Sequence, residues 1–156
     1  MELIDRMCDA RFGRERPSMN RITSFQGEFR WLSNFAPVEV VFDGESYSST
    51  EHAYQAAKTL DPEERKLVQS QPTPGQAKRM GRQITVRKDW LEVKENVMLD
   101  LTRQKYAQEP YRSKLRATGD CEIEAGNTWG DTFWGVCRGR GQNKLGQILM
   151  RIRSEQ

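Results

Sequence analysis

Residues 37–58 read PVEVVFDGESYSSTEHAYQAAK, and the pattern changes once along them, from strand to helix. Val38-Glu39-Val40-Val41-Phe42 leads into Asp43-Gly44, a pair that supplies the positive φ angles of a two-residue turn, and Glu45-Ser46-Tyr47 returns. This is a β-hairpin. Ser48-Ser49-Thr50 then offers a hydroxyl N-cap to the alanine-rich helix Glu51 to Lys58. A hairpin that feeds directly into a capped helix points to an α+β fold.

Working outward, the same grammar recurs. Asp61 caps a second helix with Pro62 at its first position and Glu64 three residues after the cap. Thr73-Pro74 opens a third, Gln76 to Met80 fill it, and Gly81 stops it. Trp90 to Gln108 is the longest helical pattern, with Trp90, Val93, Val97 and Leu101 on one face and Leu91 and Met98 beside them. Pro110 ends it, and Tyr111 to Thr118 reads as a short helix closed by Gly119. Cys121 to Ala125 suits a short strand, as does the near alternation of Ile22 to Trp31 upstream, and Leu145, Ile148, Leu149 and Ile152 stripe a last helix. The expectation is a mostly helical α+β domain over residues 21–156, with a small sheet or hairpin packed by several helices. Residues 1–20 mix acids and bases without periodicity and read as a poorly packed arm.

The composition sets limits on function. At 156 residues, 36% hydrophobic and 30% charged, the chain reads as one polar globular domain. Its mean hydropathy is -0.83. No apolar run approaches the roughly 20 residues of a membrane span, and the amino terminus has no apolar segment of a secretory signal. These features point to a cytoplasmic protein. Cys8, Cys121 and Cys137 lack C-x-x-C spacing, so buried inert thiols are expected rather than a disulfide scaffold or zinc site, and His52 is the single histidine. No metal or cofactor is expected. A net charge of +3 and a pI near 8.8 are mildly basic, but from Val136 to Arg153 there are five bases and no acid.

Those bases belong to the second informative stretch, GNTWGDTFWGVCRGRGQNKLGQILMRIR, Gly126 to Arg153. Here Asp131 is enclosed by Trp129 and Trp134, Arg138 and Arg140 alternate with Gly139 and Gly141, and Asn143 stands where it could cap the last helix. Arginines match phosphate geometry, and exposed N–H groups at a helix start favour an anion. The pattern fits a ligand that carries phosphate and a ring. A surface loop with turn glycines and core aromatics fits it equally. Glu51, in the first turn of its helix, is open to the same two readings, since the helix dipole alone favours an acid there. Two carboxylates in one pocket suit cleavage of a glycosidic bond, one handling water or the leaving group while negative charge stabilises an oxocarbenium-like sugar. Trp90 could stack on a base or pack on a ribose, and Ser33 and Asn34 could hydrogen-bond either.

Seven blocks in order resemble the NADAR family: Ser33-Asn34-Phe35, Ser49 to Lys58 (STEHAYQAAK), Ala77 to Gly81 (AKRMG), Arg87 to Trp90 (RKDW), Val93-Lys94, Asn96 to Met98, and Asp131 to Gly135 (DTFWG) with Asn143 to Gly146 (NKLG). The resemblance implies a helical α+β fold and a metal-independent N-glycosidase that hydrolyses a ribose–nitrogen bond. It implies two substrate classes, ADP-ribose on guanine in DNA or RNA and phosphorylated ribosylamino-pyrimidines of early riboflavin synthesis. By position, Glu51, Trp90 and Asp131 match the residues regarded as catalytic. Ser33, Asn34, Phe35 and Trp134 would meet sugar or base, and Arg138, Arg140, Asn143 and Lys144 would hold phosphate. Of the two classes the arginine-glycine loop favours ADP-ribose on guanine, and a non-catalytic ADP-ribose or nucleic-acid binding module is the rival from outside enzymology. Trp129 and Val136-Cys137-Arg138 depart from the family pattern.

Overall fold

A computed structural model of the protein describes residues 20–156, so the expected arm lies outside the described residues apart from Asn20. The α+β class and its helical majority are as expected. The chain forms two compact units, Asn34–Lys105 and a second made of Tyr106–Gln156 with the described residues before Asn34.

In the unit Asn34–Lys105, strands β2 (Pro37–Phe42) and β3 (Glu45–Ser49) pair antiparallel with Phe42 opposite Glu45 and Val40 opposite Tyr47. Asp43 and Gly44 take φ of 49° and 81°, the positive pair the turn demands. Val38, Val40 and Tyr47 point inward. Helix α1 (Thr50–Ala57) follows without a loop, and the Ser49 side chain accepts from the His52 N–H as its cap. Helix α2 (Pro62–Gln69) is capped by Asp61, which accepts from the Glu63 N–H. Glu64 does not close a capping box; it accepts from the Thr59 hydroxyl at 2.6 Å and the Thr85 N–H at 3.0 Å, fastening the chain on either side of α3. Helix α3 (Pro74–Met80) is capped by Thr73, as its sequence requires. Helix α4 (Trp90–Tyr106) buries Val97, Met98 and Leu101. Leu91, placed beside that face by the sequence, is 77% exposed.

α1 packs against β2, β3, α2 and α3, and every residue from Thr50 to Ala57 is buried. A helix enclosed on all sides is normally apolar throughout. This one buries Thr50, Glu51, His52 and Gln55.

The other unit is built on short parallel pairs. β1 (Arg21–Ile22) pairs with β4 (Glu122–Ile123), and β5 (Gly126–Asn127) with β6 (Val136–Cys137). The strand expected over Ile22 to Trp31 stops at Ile22; Gly27 takes φ of 59°, and Gly27–Leu32 coils into a 3-10 helix that buries Phe29, Trp31 and Leu32. Helix α5 is Tyr111–Ala117 and helix α6 is Lys144–Ser154, the latter burying Leu145, Leu149 and Ile152. Cys137 is a buried free thiol, whereas Cys121 is disulfide-bonded, which corrects the expectation of three inert thiols. Among the described residues, no helix is long and apolar enough to cross a membrane.

Candidate functional site

The N-terminal turn of α1 is fixed before any ligand is considered. Ser49 Oγ accepts from the His52 N–H at 3.1 Å and lies 2.7 Å from His52 Nδ1, while His52 Nε2 donates to the Gln71 carbonyl at 2.9 Å. Nε2 of the imidazole therefore carries a proton, and Nδ1 pairs with the serine hydroxyl. Next to it the Glu51 N–H donates to the Asn34 carbonyl at 3.1 Å, and Asn34 Nδ2 reaches Met98 Sδ at 3.6 Å. The Asn34 carbonyl thus holds the backbone at Glu51, and its side chain is half-buried. Phe35 is 38% exposed and open to a ligand.

Glu51 itself is 7% exposed, and Gln55 Nε2 donates to its Oε2 at 2.6 Å. Burial raises the carboxyl above the ordinary carboxylate range; the Gln55 hydrogen bond and the charges of Lys78, Lys58 and His52 oppose that rise. Lys58 is pushed down, first by burial, and it too sits among cations: Glu51 supports its charge while Lys78, Arg82 and Lys94 oppose it. Its Nζ lies 5.6 Å from the Tyr54 ring centroid, and Tyr54 packs on Trp90 at 5.1 Å with the rings tilted by 58°. The Arg87 N–H donates to the Lys58 carbonyl at 2.7 Å, and Arg87 clamps Asp89 through Nε at 2.6 Å and Nη2 at 3.0 Å, setting the chain just ahead of Trp90. One unit thus assembles a buried carboxyl with a raised pKa, two aromatics in contact and four cations. That set can move a proton, hold a ring and attract an anion.

Of these groups the sequence singled out Glu51 and Trp90. Gln55, Tyr54, Lys58, Lys78, Arg82 and Lys94 were missed, although Glu51, Gln55 and Lys58 recur at helical spacing and so share a face. Trp90 is 8% exposed and packs against Tyr54.

The remaining candidates lie in the other unit. Asp131 is half-buried, and its Oδ1 accepts from the Phe133 N–H at 3.1 Å and the Trp134 N–H at 2.9 Å. Asn127 holds the loop from beneath, its Oδ1 accepting from the Asp131 N–H at 3.0 Å and its Nδ2 donating to the Asp131 carbonyl at 2.8 Å. Trp129 does not enclose the acid; it is 63% exposed. Trp134 is half-buried and meets Phe133 edge to face at 4.8 Å.

The proposed phosphate loop also reads differently in three dimensions. Arg138 and Gly139 have φ of 53° and 77°, and the Cys137 N–H donates to the Arg140 carbonyl at 2.8 Å, so this is a tight turn with both arginines outside. Arg138 lines a groove of about 370 Å³ with Thr23, Ser24 and Asn127. Asn143 occupies the cap position of α6 in a left-handed conformation, but its side chain makes no cap bond. Its Oδ1 accepts from the Ala125 N–H and its Nδ2 donates to the Ile123 carbonyl, each at 2.9 Å, which ties α6 to β4. The Lys144 and Leu145 N–H groups donate to the Phe133 and Trp134 carbonyls at 3.1 and 2.9 Å. These helix-start donors are therefore committed to the Asp131 loop and not presented to an anion. Lys144 and Ser33 are half-buried. Among the described residues, no three His, Cys, Asp or Glu side chains gather so as to hold a metal ion.

A family model described as the NADAR domain matches residues 22–155. The chain is 37% identical over 128 residues to "N-glycosidase YbiA" of Escherichia coli strain K12, covering 80% of this chain and 79% of that protein. It is 33% identical over 131 residues to "N-glycosidase Npun_R5314" of Nostoc punctiforme, covering 80% and 83%. It is 36% identical over 129 residues to "Riboflavin biosynthesis protein VVA0006" of Vibrio vulnificus, covering 80% of this chain and 35% of that longer protein. The NMR structure of E. coli YbiA superposes with a TM-score of 0.75 at 34% identity, covering 86% of this chain and 82% of that one.

Proposed function

The chain belongs to the NADAR domain family, and from that premise we propose that it is an N-glycosidase that removes ADP-ribose from guanine in nucleic acid. The observation that carries the reading is the surroundings of Glu51. Its buried carboxyl, raised above the ordinary range, shares one helix and its neighbours with the charges of Lys58, Lys78, Arg82 and Lys94. A carboxylate whose pKa is raised by burial can accept a proton from water as the water oxygen bonds the anomeric carbon and the carbon–nitrogen electrons leave with the nucleobase. Clustered cations suit a substrate with more than one phosphate. Asp131 keeps the catalytic role that its place in the family motif implies. Tyr54 and Trp90 supply the aromatic surface.

The riboflavin-named relative favours a second reading, a phosphorylated ribosylamino-pyrimidine as substrate. Incubation of the protein with ADP-ribosylated guanine DNA and with the pyrimidine compound side by side, read by mass spectrometry, separates them. Release of ADP-ribose supports the first reading, and turnover of the pyrimidine alone replaces it with the second. Glu51→Gln and Asp131→Asn should each abolish turnover while leaving ligand-induced thermal stabilisation intact. Tight binding of ADP-ribosylated DNA without product would instead mark a non-catalytic module.

A further inference from the structure

Gln55 lies one helical turn after Glu51, and it is 4% exposed. Its two polar ends are used unequally. Nε2 donates to Glu51 Oε2 at 2.6 Å, whereas the buried Oε1 has no hydrogen-bond partner. An unpaired buried acceptor is costly, and native structures seldom keep one without a reason. The oxygen lies against Gly81, at the end of α3, where a Cβ would overlap it. The side-chain amide is thus held in a slot that exists only because residue 81 is glycine.

We propose that Gln55 is a positioning residue that serves Glu51 in both of its protonation states, donating through Nε2 to the carboxylate and, with the amide turned by half a revolution, accepting through Oε1 from the carboxylic acid. The ends of a carboxamide are nearly equal in size but opposite in hydrogen-bonding sense, so the rotation exchanges donor for acceptor with little change of shape. A base that takes a proton in each turnover needs a buried partner for both forms, or one form is left unpaired.

The proton cycle rests on the N-glycosidase reading; the pairing itself does not. The charged groups that bear on Glu51 are Lys58 and His52 from its own helix and Lys78 from α3, with Arg82 and Lys94 acting on Lys58. All remain in place when Gln55 is changed.

The test is a titration of the protein labelled with 13C at its glutamate carboxyl carbons, Glu51 being assigned by the signal lost in Glu51→Gln. In Gln55→Leu the Glu51 midpoint should rise by about one pH unit, because the bond lost from the charged carboxylate is stronger than the one lost from the neutral acid. Gly81→Ala should move it in the same direction by displacing the amide. The acid limb of kcat should rise by the same amount with KM changed less than about two-fold. An unchanged midpoint in both variants overturns the proposal, as does a loss of kcat equal at every pH. A midpoint that moves in a protein with no turnover of either substrate supports the pairing and sinks the N-glycosidase reading alone. Should Gln55→Leu fail to fold, Gln55→Glu replaces it: two adjacent carboxyls must titrate in two separated steps, and one unchanged step refutes the pairing.

Discussion

Replacing Glu51 by glutamine should remove activity and make the protein more stable above neutral pH. The carboxyl is 7% exposed, and burial is the leading influence on it, ahead of Gln55, Lys78, Lys58 and His52. Its folded pKa therefore lies above the value of about 4.3 in the unfolded chain. Between the two values the folded state holds the proton more tightly, so stability declines as pH rises from about 4 through the folded pKa and then levels off. Glutamine has nearly the same shape, can still accept from Gln55 Nε2, and carries no charge to bury. At low pH the variant and the wild type should be alike; above the folded pKa the variant should lead. Burying an incompletely compensated polar group costs about 1–3 kcal/mol in protein mutational data. Loss of the Glu51 charge also withdraws support from Lys58, but that lysine is half-exposed and the opposing effect is screened. For a chain of this size, about 2–4 °C per kcal/mol gives a rise in Tm of about 2–12 °C. Scanning calorimetry of both proteins from pH 4.5 to 9 measures it. A variant less stable than wild type above pH 7, or a difference constant across the pH range, refutes the reasoning.

Lys105 is 1% exposed, and burial pushes its ammonium down to about 7. The unfolded chain keeps that proton to about pH 10, so stability should rise from pH 7 toward 10 by about 1.4 kcal/mol per pH unit from this group. Lys105→Met should flatten the rise in denaturant titrations at pH 7 and 9. Lys78→Ala should raise KM for a phosphorylated substrate by about ten-fold with a smaller change in kcat, and weaken inhibition by pyrophosphate, if the cations around Glu51 hold phosphate. Asp131→Asn keeps an oxygen for the Phe133 and Trp134 N–H groups, so its Tm should stay near wild type. Asp131→Ala orphans both donors and should lose about 1–3 kcal/mol. Equal melting of the two variants would remove the loop-bracing role.

What the sequence made legible was local chemistry. Asp43-Gly44 and the caps Ser49, Asp61 and Thr73 lie where their residue types place them, because a positive φ or an orphan N–H is answered within three residues. Non-local partners were not legible. Asn143 has the composition of a cap, yet its side chain is taken by Ile123 and Ala125, some twenty residues upstream. The alternating arginines and glycines of residues 138–141 gave no sign that Arg138 and Gly139 form a tight turn closed between Cys137 and Arg140. The alternation of Ile22 to Trp31 mimicked a strand, but Gly27 turns the chain and the aromatics bury from a 3-10 helix instead.

The candidate site divides along the same line. Glu51 was visible as an acid in a first turn, where the dipole favours one for structural reasons alone. The fact that separates function from capping is burial, and burial depends on β2, β3, α2 and α3 closing around α1. A capping acid gains from solvent and has no cause to lie at 7% exposure with its pKa driven upward. Nor would a helix selected only for packing bury Thr50, Glu51, His52 and Gln55 together. His52 is satisfied at both ring nitrogens, yet Thr50 Oγ1 and Gln55 Oε1 have no partner. Unmet polar demand gathered around one ionisable group, on the helix the rest of its unit encloses, is a cost that stability does not explain and proton transfer does.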